Sequence, residues 1–307
     1  MLYANIDNFD ATKYTLDFEK LSVMDKWLLS RLSSTVKAVD ENLADYRIPE
    51  TARALQDFVD ELSNWYVRRG RERFWAKGME QDKINAYMTL YTALVTLAKA
   101  AAPMIPFMTE AIYRNLVCSI DKTAPESVHF CDFPEVNEAW IDRDLEKDME
   151  AVQSIVVLGR ACRNTANCKQ RQPLARMYVK ADLTWKDASG CEREGMSGFY
   201  TEIIADELNV KEIAFTHELD SFISYNFKPQ LKTLGKRFGS RLNDLKEALA
   251  NLDGAAAMAQ LADTGVLKLA VGSVEEEIAK EDLLIETSQM GGYVTEENGG
   301  YAVVLDT

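Results

Sequence analysis

The stretch from Leu62 to Trp75, LSNWYVRRGRERFW, sets Trp65, Tyr66 and Trp75 among Arg68, Arg69, Arg71 and Arg73. Aromatic rings offer flat faces on which unpaired bases stack, at about 1–3 kcal/mol per base. Guanidinium groups offer forked donors to phosphates and base edges. Together they form the chemistry that holds single-stranded loops of RNA. Two further basic runs carry the same potential. Arg160, Arg163, Lys169, Arg171 and Arg176 succeed one another with no acid between them. Lys228, Lys232, Lys236, Arg237 and Arg241 form the other run, punctuated by Gly235 and Gly239, where backbone can approach a strand or a phosphate closely.

The chain as a whole is acidic, with 35 lysines and arginines against 49 aspartates and glutamates and a net charge of −14. That average opposes a polyanionic partner. The acids concentrate elsewhere, however, in 135–150 and after Glu275, and local potential governs docking more than net charge does. The competing reading of each basic run is an ordinary solvated face. In the run 160–171, cations near a helix C-terminus are also favourable through the helix dipole.

At 307 residues and 47% hydrophobic, the sequence can bury a sizeable core in about two domains. It has no apolar run long enough to span a bilayer and no secretory leader, so no membrane partner is expected. Its five cysteines are scattered, with no CxxC pair, which fits free thiols in a reducing cytoplasm better than a disulfide framework or a zinc site.

The elements that must position these groups read first as helices. Asp25–Tyr46 carries Trp27, Leu28, Leu32, Val36, Val39 and Leu43 at helical spacing. A second helix is expected over Pro49–Ala76, with Pro49 in its first turn and Gly78 as its stop. A third spans Glu80–Ala101 and ends at Pro103 and Pro106; a fourth runs Phe107–Cys118. A loop-rich bridge over 119–140 contains one extended piece, Val128–Phe130, and a fifth helix covers Asp142–Asn164. Beyond Gln172 the period changes. Strands are expected at Arg176–Ala181, Val210–Phe215, Phe222–Phe227, Val266–Val271, Leu283–Thr287, Gly292–Thr295 and Tyr301–Leu305. Helices are expected at Gly198–Leu208, Leu231–Leu252 and Ala255–Ala262.

Helical geometry divides the arginines. Arg69 and Arg73 fall on the side of Leu55, Phe58 and Leu62, so they either meet RNA at the end of the helices or pair with acids such as Asp25 or Glu61 and fasten helices together. Arg68 and Arg71 point outward. No gathering of groups satisfies the requirements of catalysis. Glu275–Glu277 reads as a solvated charge run, His129 as a structural hydrogen-bonder, and Asp206 and Glu207 end a helix without a nearby nucleophile.

The segments DKWLLSRL (Asp25–Leu32), SNWYVRRGRERFW (Ser63–Trp75), AAPMIPFMTEAIY (Ala101–Tyr113) and SVHFCDFPE (Ser127–Glu135), in this order, resemble the anticodon-binding region of isoleucyl-tRNA synthetases. The resemblance continues through LGRACRN (Leu158–Asn164), KQRQPL (Lys169–Leu174), DELNVKE (Asp206–Glu212) and FKPQLKTLGKRFG (Phe227–Gly239), and so covers essentially the whole chain. It implies an antiparallel helical bundle of the class I synthetase type followed by a smaller α+β domain. The expected division is a connector over 1–19, the bundle over 20–168 and the α+β domain over 169–307.

By the same resemblance the partner is isoleucine tRNA, and the remainder of a synthetase polypeptide would supply catalysis and editing. Trp27, Arg31, Arg47, Asn64 and Trp65, with Arg68, Arg69, Arg71 and Arg73, become candidates for anticodon contact. Arg160, Arg163, Lys169, Arg171, Lys232, Lys236 and Arg237 become candidates for backbone contact. Each has a bland counterpart, core packing for Trp27 and Trp65 and salt bridging for Arg31. The HIGH-type and KMSKS-type adenylation signatures of the family are absent, so the chain is expected to be inactive alone and to need no cofactor of its own. ATP and magnesium would belong to the parent enzyme. The corresponding region of valyl-tRNA synthetase and a structural module with little RNA affinity remain alternatives. A free-standing RNA-binding protein is disfavoured because both chain ends look cut. Arg31→Ala is expected to weaken tRNA binding without much change in melting temperature.

Overall fold

The computed structural model describes residues 2–187, 189–216, 223–272, 274–289 and 292–307. The chain divides into two compact units, Met1–Lys147 and Asp148–Thr307.

The first unit is helical. A short helix α1 (Leu2–Ile6) precedes α2 (Val23–Ala44), whose start is fixed by a capping box: Ser22 accepts from the Asp25 amide, and Asp25 accepts from the Ser22 amide. α3 (Ile48–Asp60) comes next, with Pro49 in its first turn. The expected single helix over Pro49–Ala76 is in fact three pieces. After α3 the chain widens into a π-helical turn over Glu61–Val67, marked by the Arg68 amide bonding the Ser63 carbonyl at 3.1 Å. It then tightens at Gly70 and resumes as α4 (Arg71–Trp75). Gly70 is required there, because a Cβ would stand 2.9 Å from the Tyr66 carbonyl oxygen. The wide turn lets the adjacent Trp65 and Tyr66 both enter the core, at 8% and 2% exposure.

α5 (Gln81–Ala101) and α6 (Pro106–Tyr113) complete the main helices, and α6 also ends in a π-helical turn, Arg114–Cys118. Val128–Phe130, expected to be extended, is a turn of 3-10 helix capped by the Ser127 hydroxyl. The end of α2, the middle of α3 and the end of α5 meet in one cluster of Val39, Leu43, Leu55, Leu97, Ala100 and Ala101.

The 23-residue α7 (Arg143–Thr165) runs from the end of the first unit into the second. In the second unit Met149, Val152, Ile155 and Val156 are buried. There β1 (Leu174–Lys180) pairs in parallel with β4 (Val210–Phe215). It pairs antiparallel with β10 (Tyr301–Asp306), which also pairs with β9 (Tyr293–Asn298), giving the order β4-β1-β10-β9. α8 (Gly198–Leu208) connects β1 to β4 and passes so close to α7 that a Cβ on Gly159 would lie 2.3 Å from a Leu208 methyl. β2 (Thr184–Lys186) and β3 (Glu192–Glu194), a hairpin between β1 and α8, are too short and polar to show in the pattern.

The expected long helix Leu231–Leu252 is broken. α9 (Leu231–Phe238) and α10 (Leu242–Ala250) are separated at Gly239, which adopts φ +47°. These two helices, with α11 (Gly254–Thr264), surround a core of Phe227, Leu234, Phe238, Leu245, Leu249 and Leu261. Two ribbons close it: β5 (Ile223–Pro229) with β8 (Leu283–Gln289), and β6 (Val266–Val271) with β7 (Val274–Ala279). The acidic run Glu275–Glu277 lies in β7, where it pairs with Ala270–Lys268 while Ile278 is buried. Phe222, the expected first residue of one strand, lies outside the described residues, as does His217. Among the described residues no helix is long and apolar enough to cross a membrane, and the five cysteines are free thiols.

Candidate RNA interface

The turn between α2 and α3 is built in an unusual way. The Arg47 amide bonds the Asn42 carbonyl at 2.8 Å and the Tyr46 amide bonds the Leu43 carbonyl at 3.1 Å, the double closure of a Schellman motif. That motif places one residue in the left-handed region, usually glycine. Here it is Tyr46, at φ +58°, with its side chain 88% exposed. The other non-glycine residues with positive φ among those described are all asparagines, which tolerate that region. A bulky residue costs about 1–2 kcal/mol there. Strain held at an exposed aromatic is a mark of a working surface. Arg47 is the next residue, exposed, with a guanidinium nitrogen 2.7 Å from Asp45. Apolar spacing alone ends the first helix on Tyr46 and does not single it out. No local residue preference signals a left-handed tyrosine.

Deeper along α2 the candidates turn inward. Trp27 is 1% exposed and belongs to the core. Arg31 donates from Nε to Glu61 at 2.9 Å and lies 3.7 Å from Glu146. Glu146 is itself buried and accepts from Ser30, Ser34 and Arg143. Burial raises the Glu61 carboxyl pKa, and the neighbouring Arg31 only partly offsets this. Arg31 therefore joins α2, the π-helical turn and α7's first turn.

The LSNWYVRRGRERFW segment splits by face. On the inner side Arg73 forms a fork on Asp25, with bonds of 2.9 and 2.8 Å, and also reaches Asp82 at 2.8 Å. Tyr66 donates its hydroxyl to the same Asp25. Burial alone would raise the Asp25 pKa; the hydrogen bonds and charge of Arg73, with Tyr66 and Ser22, outweigh it and hold the carboxyl below its usual range. The Tyr66 hydroxyl is pushed well up by burial and by Asp25. The interhelix pairing open to Arg73 in the sequence is thus realised, and Trp65 is core.

On the outer side Asn64 bonds Asp60 at 2.6 Å, Arg68 donates to the Asn64 carbonyl, and Arg69 is half-buried. Arg71 lies over the half-exposed Trp75 ring, 6.0 Å from its centroid, with Tyr3 against the same indole. Arg71, Trp75, Phe9, Phe74 and Tyr87 line a cavity of about 390 Å³.

In the second unit the basic runs are largely occupied. Arg160 is paired with Glu207 at 2.6 Å. Arg163 is 2% exposed and spends its donors on the carbonyls of Leu208, Lys169, Gln172 and Asn209. Burial lowers its pKa, and its role is to tie α7 to the loop before β1 and the end of α8. Arg237 and Arg241 share Glu276, at 3.0 and 2.8 Å. Lys169, Arg171 and Lys232 are exposed, whereas the side chain of Lys236 lies outside the described residues.

The family model for the anticodon-binding domain of tRNA ligases matches residues 25–179, half of the chain, and the chain belongs to that family. Among curated relatives, it is 41% identical to an isoleucine–tRNA ligase of Clostridium kluyveri and 42% identical to one of Clostridium acetobutylicum, each over the whole of this chain. An isoleucine–tRNA ligase of Cytophaga hutchinsonii is 37% identical over 99% of the chain. The chain spans 28%, 28% and 27% of the length of these relatives, respectively.

Proposed function

We propose that this chain is the anticodon-reading part of an isoleucine–tRNA ligase and that its RNA partner is isoleucine tRNA. The observation that carries the reading to a site is Tyr46: an aromatic ring 88% exposed and held at φ +58° where glycine would be unstrained. Its ring is the stacking surface for an unpaired anticodon base, and Arg47 beside it meets the adjoining phosphate. The helices form an antiparallel bundle of the class I synthetase type, with the divisions 1–19, 20–168 and 169–307 as functional segments. Lys169, Arg171 and Lys232 track the RNA backbone.

The mechanism is positioning: the chain holds the anticodon so that the acceptor end reaches a catalytic site elsewhere in the ligase. Adenylation with ATP and magnesium belongs to that other part, and the setting is the cytoplasm. Identity to isoleucine–tRNA ligases along the whole chain favours isoleucine over valine.

The test is binding of the 307-residue chain to isoleucine tRNA and to a one-base anticodon variant, at low and moderate salt. Discrimination between the two supports the reading. Equal, salt-sensitive binding leaves only a backbone-docking role, and no binding at either salt sinks anticodon reading by this chain.

A further inference from the structure

We propose that Asp45 gives this chain a preference for guanine, its carboxylate accepting from the paired N–H donors on the Watson–Crick edge of the unpaired base stacked on Tyr46. The inference rests on the proposed function, since it assigns a specificity to the base held there. A ring that stacks accepts the face of any base, and a guanidinium that meets phosphate is blind to sequence. Tyr46 and Arg47 therefore hold a base without choosing it. A group that chooses must meet the base edge. Asp45 is the polar side chain next to the ring, and adjacent Cα atoms stand about 3.8 Å apart, which brings a base on the ring within its reach.

Asp45 is the C-cap of α2, and it is placed against the helix's own field. The carboxyl end of a helix carries partial negative charge, which favours cations and disfavours carboxylates. The last turn of α2 has no basic residue, and Glu41, one turn earlier, is exposed as well. Two neighbours, Asp45 by its charge and Tyr46 by its φ of +58°, thus each work against the turn they form. Local choices that oppose the fold mark a surface kept for another purpose. The carboxylate is nevertheless held. Its Oδ2 accepts from the Arg47 guanidinium at 2.7 Å, and its Oδ1 has no hydrogen-bond partner among the described residues. Both side chains are exposed, so the pair contributes little to stability. Its consequence is orientation: an acceptor fixed before RNA arrives loses less freedom on binding.

The chemistry of that acceptor selects the base. An ionised carboxylate accepts and never donates, and each oxygen has more than one lone pair, so Oδ2 serves a base while bonded to Arg47. Guanine presents two adjacent donors, N1–H and the 2-amino group, which match two carboxylate oxygens. Adenine and cytosine set a ring-nitrogen acceptor beside their amino group, and uracil flanks N3–H with two carbonyls. Each of these acceptors opposes a carboxylate. Arg47 has donors to spare, so it holds Asp45 and still meets the adjoining phosphate. It also offsets the charge that Asp45 would otherwise turn toward the RNA backbone.

The test uses the whole chain, unaltered and as Asp45→Asn and Asp45→Ala. The probes are hairpin RNAs with an all-uridine loop in which each anticodon position in turn carries guanosine, inosine, adenosine or uridine, together with isoleucine tRNA and its one-base anticodon variant. At one position the unaltered chain should prefer guanosine to uridine by about 5- to 150-fold, the range of one bidentate base contact. Inosine, which lacks the 2-amino group, should fall between them. An asparagine offers one acceptor and one donor, the pattern that suits adenine. Asp45→Asn should therefore move the preference from guanosine to adenosine, and Asp45→Ala should abolish it. Melting temperature should hold or rise in both, because a charge opposed to the helix is gone. A guanosine preference unchanged in Asp45→Asn overturns the assignment. So does an equal loss of affinity for every loop, which would make Asp45 only a support for Arg47. If the unaltered chain tells the two tRNAs apart and shows no guanosine preference, guanine reading fails and anticodon reading stands. If it does not tell the tRNAs apart, both inferences fall together.

Discussion

The two ends of α2 carry the same kinds of residue and use them in opposite ways. At the start, a tyrosine and an arginine close on a buried carboxylate: Tyr66 and Arg73 both bond Asp25, which is 0% exposed. At the far end, beyond a helix of 22 residues and so roughly 30 Å away, another tyrosine and arginine stand open at Tyr46 and Arg47. The first pair satisfies the fold's own polar groups. The second leaves an aromatic face unfilled and holds it under backbone strain. Residue type therefore does not separate a scaffold arginine from a binding arginine. What separates them is whether a carboxylate lies within reach at a buried position.

The largest effect expected from this contrast is at the closed end. Arg73→Ala leaves Asp25 buried beside only a phenol and a serine, and breaking such a pair costs about 3–5 kcal/mol. Urea unfolding should register that loss, while whatever fraction remains folded keeps its anticodon discrimination. A loss of RNA affinity with unchanged stability would reverse the assignment. The same pair sets an acid limit. Because the Asp25 pKa is lowered in the folded chain, its contribution is fully present above the unfolded carboxylate pKa and disappears as pH falls through the lower folded value. Asp25→Asn should flatten that acid limb of a stability–pH profile.

At the open end the expected change is in binding. Tyr46→Ala should weaken isoleucine tRNA binding by about 1–3 kcal/mol, the worth of one stacked base, without lowering the melting temperature. Tyr46→Gly should lose the same affinity and also relieve about 1 kcal/mol of left-handed strain. The pair of variants separates stacking from conformation. A glycine variant that binds as well as the parent would show that the turn's backbone, not the ring, is what matters.

Much of this organisation is written in the sequence. The apolar spacing places α2, α5, α7 and α8 within one or two residues of their ends, and the change of period after Gln172 marks the start of the sheet. The failures have physical causes. A π-helical turn such as Glu61–Val67 preserves the overall helical look of the sequence while changing its pitch, so the sequence leaves Trp65 open between a base-facing and a packed position and the structure buries it. Gly239 sits inside a strongly amphipathic basic run, and only the left-handed φ it adopts divides α9 from α10. β2 and β3 are short and mostly exposed, and β7 is acidic along its middle with only Ile278 buried, so ladder bonding rather than apolar alternation defines them. At the candidate site, Arg163 illustrates the same limit. Its sequence neighbours are basic and acid-free, yet its donors are consumed by four backbone carbonyls, two from the loop just after α7 and two from the end of α8, far along the chain.

Arg31 and Arg47 bring the comparison to its smallest and sharpest form. Both stand on or beside α2, and the sequence alone offers both for tRNA. Arg31 is fixed to Glu61 with Glu146 near, however, and its removal leaves two largely buried carboxylates with less compensation. Arg31→Ala should therefore lower the melting temperature and leave the salt dependence of tRNA binding as it was. Arg47 has only an exposed pairing with Asp45, of a kind that contributes little to stability. Arg47→Ala should leave melting unchanged and make the log–log salt slope shallower by about 0.7, one phosphate contact of a single strand. Should the slope change track Arg31 instead, the buried cluster of α2 must open on binding, and the boundary between scaffold and reader would lie deeper in the helix than Tyr46.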